Sequence, residues 1–102
     1  MRSTPMGPPG ARDVDPPQHV WVDLPRLLPM ARDHLFHQTP EGIDTRYEAA
    51  GLLIGWVRSA DGAWLGLVRY QLLTADREWQ TTVTHYVPEH LFRLRARRRG
   101  FR

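Results

Sequence analysis

The feature that most constrains the fold is the Asp-Gly pair at Asp61 and Gly62, which separates two runs rich in aliphatic and aromatic residues. The runs are 51–59 (GLLIGWVRS) and 64–73 (WLGLVRYQLL). Asp-Gly favours a tight hairpin turn, because both residues tolerate the positive φ angles of a type I′ turn. The sequence therefore predicts a β-hairpin with a two-residue turn.

A two-residue turn also fixes which side chains share a face of this hairpin, because side chains alternate along each strand. It places Trp64 and Tyr70 on the same face as Gly55 and Gly66, with Trp56 on the opposite face. Glycines inside strands weaken them unless a bend or a close packing partner requires the missing side chain. We therefore expect a strongly curved hairpin.

Other segments extend this β pattern. Residues 19–24 (HVWVDL) and 78–87 (EWQTTVTHYV) alternate apolar and polar side chains, which predicts two further strands. Pro88 suits the first position of a single helical turn in PEHL, after which 91–95 (LFRLR) forms a short last strand. The order is strand, helical excursion, hairpin, strand, single turn, strand.

The helical excursion and the two ends complete the domain organisation. Leucines at helical spacing predict a helix whose firm part is 29–37, followed by a polar loop. Residues 1–18 are Pro-rich and lack periodicity, so we expect them to be disordered. The folded domain is expected at 19–95, and 96–102 form an Arg-rich tail.

The four predicted strands, the one-turn helix that begins in VPEHL and the short closing strand resemble the small SH3-like barrels, a group that includes Tudor-type modules. The resemblance implies a mostly β, five-stranded SH3-like barrel. The short helix predicted in the first loop is a departure from that group. The acidic and aromatic peptide-binding signature of true SH3 domains is absent. Members of this group bind Pro-rich peptides, methylated side chains, RNA or other proteins. The fuller pattern VWV…GLLIGW…DG…GLVRY…YVPEHLFRLR also resembles short uncharacterised proteins of GC-rich actinobacteria, and this resemblance implies no activity.

The sequence lacks the residues that several classes of function require. The chain has no Cys, so thiolate chemistry is excluded. It also lacks a nucleophile elbow and a Gly-rich loop before a helix, and His34 and His37 miss the usual zinc-site spacing. We expect no enzyme, cofactor or metal site. An apolar run near the roughly 20 residues of a membrane span is absent, and a cytoplasmic location is expected.

Aromatic side chains are the first candidate binding site, because a small barrel has too few interior positions for all of its large rings. Trp56, Trp79 and Trp21 are assigned to the core, since Trp is usually largely buried. Trp64 and Tyr70 are the candidates for an aromatic face that binds a protein or peptide partner.

The C-terminal arginines are the second candidate. The last ten residues carry six Arg and no acid, while the rest of the chain has more acids than Arg. Clustered Arg binds phosphates, which makes a nucleic-acid-associated accessory protein the alternative function. A solubilising end and an acidic protein partner remain open. The candidate nucleic-acid residues are Arg95, Arg97, Arg98, Arg99 and Arg102.

Overall fold

The computed structural model describes residues 10–28 and 40–95. They form one antiparallel five-stranded sheet of order β4-β3-β2-β1-β5, which does not close on itself. The mostly β prediction is confirmed, and a single 3₁₀ turn lies where Pro88 predicted it. The elements are β1 (Arg12–Asp23), α1 (Leu24–Leu27), β2 (Glu48–Arg58), β3 (Trp64–Leu73), β4 (Gln80–Pro88), the 3₁₀ turn (Glu89–Leu91) and β5 (Phe92–Leu94).

β1 begins well before the predicted start at residue 19, so the prediction of disorder is wrong for residues 12–18. Arg12 and Asp13 pair with the far end of β2, and Val14 packs against the core. The register shifts between Asp13 and Gln18, which accommodates two prolines that cannot donate ladder hydrogen bonds. Composition alone missed this pairing. Residues 1–9 lie outside the described part of the chain.

The first loop opens with the short helix α1. The Asp23 side chain caps it by accepting a 3.1 Å hydrogen bond from the Arg26 backbone N–H. Pro25 is tolerated because it lies in the first turn, where no intrahelical donor is required. Leu24 is fully buried and anchors the helix to the core. The helix predicted over 29–37 lies outside the described residues.

The predicted hairpin between β2 and β3 is confirmed, but its turn type is wrong. Ser59 donates its N–H to the Ala63 carbonyl over 2.8 Å and accepts from the Gly62 N–H over 3.0 Å. Gly62 has a φ of 92°, whereas Asp61 stays at negative φ. This is a three-residue loop with a type I turn and a bulge glycine. The Asp61 carboxylate favours it by accepting the Ala63 N–H at 3.2 Å.

A β-bulge at Ile54 changes the register a second time. Leu53 lies opposite Val68, but Trp56 lies opposite Gly66, so β2 contains one residue more than β3 in this interval. Trp56 lies between this bulge and the turn, so the extra loop residue, and not the bulge, places it opposite Gly66. The prediction that Trp56 lies on the face opposite Gly66 is therefore wrong. The bulge returns Leu53 and the residues before it to the face predicted for them, and a bulge of this kind bends its strand.

The hydrophobic core covers one face of the sheet, which we call the core face. It combines side chains from four strands with those of α1 and the 3₁₀ turn. The partly buried rings of Trp56 and Phe92 pack against its margin. The buried members are Val20, Val22, Leu24, Ala49, Leu53, Val68, Tyr70, Val87 and Leu91. The opposite face, which we call the outer face, carries exposed polar and charged side chains.

Candidate groove on the outer face

Tyr70 does not form the predicted aromatic face, because its side chain lies in the core. It is 3% exposed, and its hydroxyl is 2.7 Å from Nε2 of His85 on β4. Burial raises the pKa of Tyr70 and lowers the pKa of His85, so the pair stays neutral near pH 7. The prediction that Tyr70 contacts a partner is therefore wrong.

Trp64, the other predicted contact residue, is half-buried at the hairpin end of the sheet. Its ring lies edge-on to Trp56, with 6.2 Å between centroids. The guanidinium groups of Arg58 and Arg12 lie 4.7 Å and 5.4 Å from its centroid. These are cation–π distances, so Trp64 is already flanked by two cations of its own chain.

Of the three tryptophans that were predicted to lie in the core, only Trp56 packs against it. Trp56 packs against the core as expected, with its ring 5.6 Å from that of Phe92. Trp79, which was assigned to the core, is 72% exposed before β4. Trp21, also assigned to the core, is half-buried on the outer face, because its neighbours Val20 and Val22 take the two core positions.

The outer face contains a shallow groove of 320 Å³ that runs across the sheet from β4 to β1. Small and aliphatic side chains of β2 form its floor, and polar or basic side chains from the flanking strands form its sides. Strand pairing creates it, since Leu52 lies between His19 and Arg69 in adjacent strands. Tyr70 is also among the residues beside the groove, although its side chain is buried in the core. The lining residues are His19, Ala50, Gly51, Leu52, Arg69, Tyr70, Gln71, Thr82 and Arg95.

One end of the groove is formed by Arg95, the predicted site residue that directly follows β5. Its backbone N–H donates to the His19 carbonyl over 2.9 Å, which extends the pairing of β5 with β1. Its guanidinium lies 4.7 Å from the Trp21 ring centroid and 3.5 Å from Nδ1 of His19. The Trp21 ring and the Arg95 guanidinium form a cation–π pair beside the groove.

The groove lining contains Arg but no Asp or Glu. Of the acids near it, Glu48 pairs with Arg93 at 2.7 Å, and Asp23 lies 3.8 Å from the Arg26 guanidinium. Arg69 forms no ion pair within residues 10–28 and 40–95. The local field therefore favours an anion, although the chain outside its last ten residues is acidic overall.

A separate polar cluster connects the loop before β2 to the loop after β3. The Asp44 side chain is 4% exposed and lies 3.0 Å from Nε of Arg46 and 3.1 Å from an Arg77 guanidinium nitrogen. Hydrogen bonds from Arg46 lower the pKa of Asp44 to about 2, against the opposing effect of burial. This cluster is satisfied internally, so we assign it a structural role.

Other predicted site residues fall outside this geometry. Arg97, Arg98, Arg99 and Arg102 lie beyond the described residues. Within the described ranges, no group of three or more His, Asp or Glu side chains is arranged to hold a metal ion. No helix in those ranges is long and apolar enough to cross a membrane.

Sequence reasoning missed His19, Trp21 and Arg69 as site residues. The alternation in 19–24 and 64–73 does place them opposite the core positions, but it does not show that adjacent strands gather them around one groove. The chain matches no protein-family model, no curated protein and no solved structure. Its function is therefore argued from the groove itself.

Proposed function

We propose that this chain is a non-catalytic binding module of SH3-like architecture whose outer face binds single-stranded nucleic acid. The strand order β4-β3-β2-β1-β5 and the one-turn 3₁₀ segment before β5 support the architecture. Fold alone selects no partner among those such modules bind. The choice of nucleic acid rests on the groove.

The observation that carries the proposal is the pair of arginines in a groove without acidic lining. Arg69 comes from β3 and Arg95 from the end of β5, so the sheet brings together two cations that are distant in sequence. A guanidinium donates two parallel hydrogen bonds to a phosphate, which makes Arg suited to this ligand. A phosphodiester chain that follows the groove meets both.

The pair of Trp21 and Arg95 favours a single strand over a duplex. Unpaired bases expose their π faces and stack on aromatic rings or guanidinium planes, whereas duplex bases are already stacked. The Arg95 guanidinium carbon lies 4.7 Å from the Trp21 ring centroid, so a base at the groove margin can contact both side chains. Such stacking is largely independent of sequence.

The Arg-rich tail strengthens the same function. Arg97, Arg98 and Arg99 follow Arg95 within four residues of sequence. Phosphate contacts from clustered Arg release counterions, so they add affinity that needs no specific base and that falls with salt. The groove would thus position the nucleic-acid strand, and the arginines of the tail would add contacts to its phosphates.

Fluorescence anisotropy with labelled oligonucleotides of about 12 nucleotides tests this proposal. We expect the parent to bind single strands of different sequence similarly and to lose affinity steeply between about 50 and 200 mM salt. Arg69→Ala with Arg95→Ala should weaken binding about tenfold or more and reduce the salt slope by about 2. Arg97→Ala, Arg98→Ala and Arg99→Ala together should weaken it further.

Arg12→Ala with Arg58→Ala is the matched control for oligonucleotide binding, because it also removes two guanidinium groups, both exposed at the hairpin end of the sheet and outside the groove lining. It should bind like the parent. If the groove variant also binds like the parent, the groove proposal is wrong. If only the tail variant loses binding, nucleic acid is held by the tail alone and the outer face has no part in it.

A protein or peptide partner is the second candidate, and Trp64 is the observation that favours it. Its half-buried ring lies between the guanidinium groups of Arg12 and Arg58, a combination suited to an acidic peptide with an apolar residue. Labelled polyglutamate in the same assay separates the two candidates. Binding to polyglutamate that requires Arg12 and Arg58, without binding to oligonucleotides, would favour the peptide.

A further inference from the structure

At the free edge of β4, every second residue directs its backbone N–H and C=O groups away from the sheet. Thr74 donates its N–H to the Trp79 carbonyl over 3.0 Å, which directs the backbone of Trp79 toward β3. Backbone groups alternate sides along an antiparallel strand, so the even-numbered residues of β4 point theirs away from β3. In the described residues no strand pairs with that side of β4. The outward residues are Gln80, Thr82, Thr84 and Tyr86.

This edge lacks the features that normally prevent strand pairing. Residues 79–88 contain no Arg, Lys, Asp or Glu. The pairing of β4 with β3 is regular from Gln80 to Pro88, with no bulge to twist the edge away. The only proline is Pro88, the last residue of the strand. Natural edge strands usually carry charges, bulges or internal prolines, so an uncharged regular edge indicates a partner strand.

We propose that a second copy of this chain pairs antiparallel with β4 through this edge. In the register centred on Val83, Thr82 lies opposite Thr84 of the second copy, and Gln80 lies opposite Tyr86 of the second copy. Every outward N–H and C=O of these residues is then bonded, which gives roughly eight hydrogen bonds. Pro88, which has no N–H, remains outside the pairing. Residues 79–88 contain no Arg, Lys, Asp or Glu, so two paired β4 strands do not place like charges opposite each other.

Trp79 provides an independent reason for a second copy rather than an unrelated strand. It is 72% exposed, which is unusual for the largest apolar side chain. In the same register it lies opposite Val87 of the second copy, whose own side chain is fully buried, so the ring would lie against the backbone of the partner strand. Dimerisation would therefore reduce the exposure of one Trp79 ring at each end of the interface. This inference does not depend on nucleic-acid binding.

Analytical ultracentrifugation of the full chain from about 1 µM to about 1 mM tests self-association. We expect a monomer–dimer equilibrium in the parent. Thr82→Lys with Thr84→Lys places like charges opposite each other in the paired edge and should raise the dimer dissociation constant about tenfold or more. Thr82→Glu with Thr84→Glu should do the same. Gln18→Lys adds a positive charge at an exposed position of the interior strand β1, outside the groove lining, and this control should dimerise like the parent.

An equimolar mixture of the Lys and Glu double variants should recover the dimer, which folding defects in either variant cannot mimic. Hydrogen exchange gives a second readout, since the amides of Gln80, Thr82, Thr84 and Tyr86 should exchange more slowly at high protein concentration. Trp emission should shift to the blue over the same range, and Trp79→Phe should remove that shift.

Two results would overturn the proposal. One is a parent that stays monomeric at about 1 mM with outward β4 amides that exchange freely. The other is a dimer that both double variants form as well as the parent, which would locate the interface elsewhere. Protection of the monomer's β4 amides only by an added unrelated β-strand peptide would assign the edge to a heterologous partner instead.

Discussion

Gly66 on β3 is the position where one added methyl group should disturb the core most. A Cβ built there would lie 2.5 Å from Cζ and 2.7 Å from Cε2 of Phe92, and 2.8 Å from Cδ1 of Leu53. Carbon atoms pack best at about 3.5–4.0 Å, so Gly66→Ala requires the Phe92 ring and the Leu53 side chain to move by roughly 1 Å. Both side chains pack within or against the core.

The magnitude follows from two opposing effects. Overpacking a well-packed core usually destabilises by about 1–3 kcal/mol. Replacing Gly by Ala within a strand recovers about 0.5–1 kcal/mol, because Ala loses less backbone entropy on folding. We therefore expect Gly66→Ala to lower the free energy of unfolding by about 1–2 kcal/mol. In a domain of this size that corresponds to a Tm lower by roughly 5–15 °C.

Urea unfolding followed by Trp emission measures this effect, and a double-mutant cycle with Phe92→Leu assigns it to the contact. Leucine lacks the outer ring atoms that the new Cβ would meet, so Gly66→Ala should cost about 1 kcal/mol less in the Phe92→Leu background than in the parent. A Gly66→Ala variant as stable as the parent would refute the reasoning. An equal cost in both backgrounds would show that Phe92 is not the obstacle.

Two further predictions concern the loops. Gly62→Val should lower stability in thermal unfolding by about 1–2 kcal/mol, because Gly62 has a φ of 92°, which a β-branched residue rarely adopts. A new Cβ at this position meets no neighbouring atom, so the cost is conformational and not steric crowding. Gly62→Asn should retain more stability, because Asn tolerates positive φ. Asp44 has a pKa lowered to about 2, so its contribution is present above pH 4 and is lost as the pH falls from about 4 to about 2. Asp44→Asn should lower the free energy of unfolding by about 1–2 kcal/mol at pH 7, a value that is reduced because solvent screens the half-exposed guanidinium groups of Arg46 and Arg77. In urea unfolding between about pH 4 and about pH 2, the variant should not show the loss of stability that the parent shows.

The strands and their order could be predicted because alternation and the Asp-Gly turn are local signals. The register could not, because Asp61-Gly62 fits both a two-residue turn and a three-residue loop with a bulge glycine. The extra loop residue moved Trp56 to the other face, and the bulge at Ile54 then returned Leu53 to its predicted face, although no local residue preference marks that bulge. A single extra residue exchanges the faces of a strand, so small errors in register change the predicted surface completely.

The candidate site was only partly predictable for a related reason. The alternation of side chains places Tyr70 and Arg69 on opposite faces of the sheet, and likewise Trp21 and Val22. It does not show which of the two faces packs against the core. The aromatic character of Tyr70 suggested a contact surface, whereas α1 and the 3₁₀ turn complete the core on its side of the sheet. Arg95, which was predicted as a nucleic-acid contact, follows β5 directly and lies half-buried beside the groove, and its contact with nucleic acid stays a prediction.

The two proposals are connected by the symmetry of the paired edge. A two-fold axis normal to the sheet would place both outer faces on the same side of a ten-stranded sheet, with the two Arg95 residues near its opposite ends. Thr82 lines the groove and lies opposite Thr84 of the second copy, so the two grooves meet at the axis with an offset of about 7 Å along the strands. An oligonucleotide long enough to enter both grooves should therefore bind more tightly than one confined to a single groove, because the second contact is intramolecular. That gain should disappear below the dimer dissociation constant, while the affinity for the shorter oligonucleotide and its dependence on Arg69 and Arg95 should remain. Pairing at β4 and binding on the outer face can thus be confirmed or rejected separately.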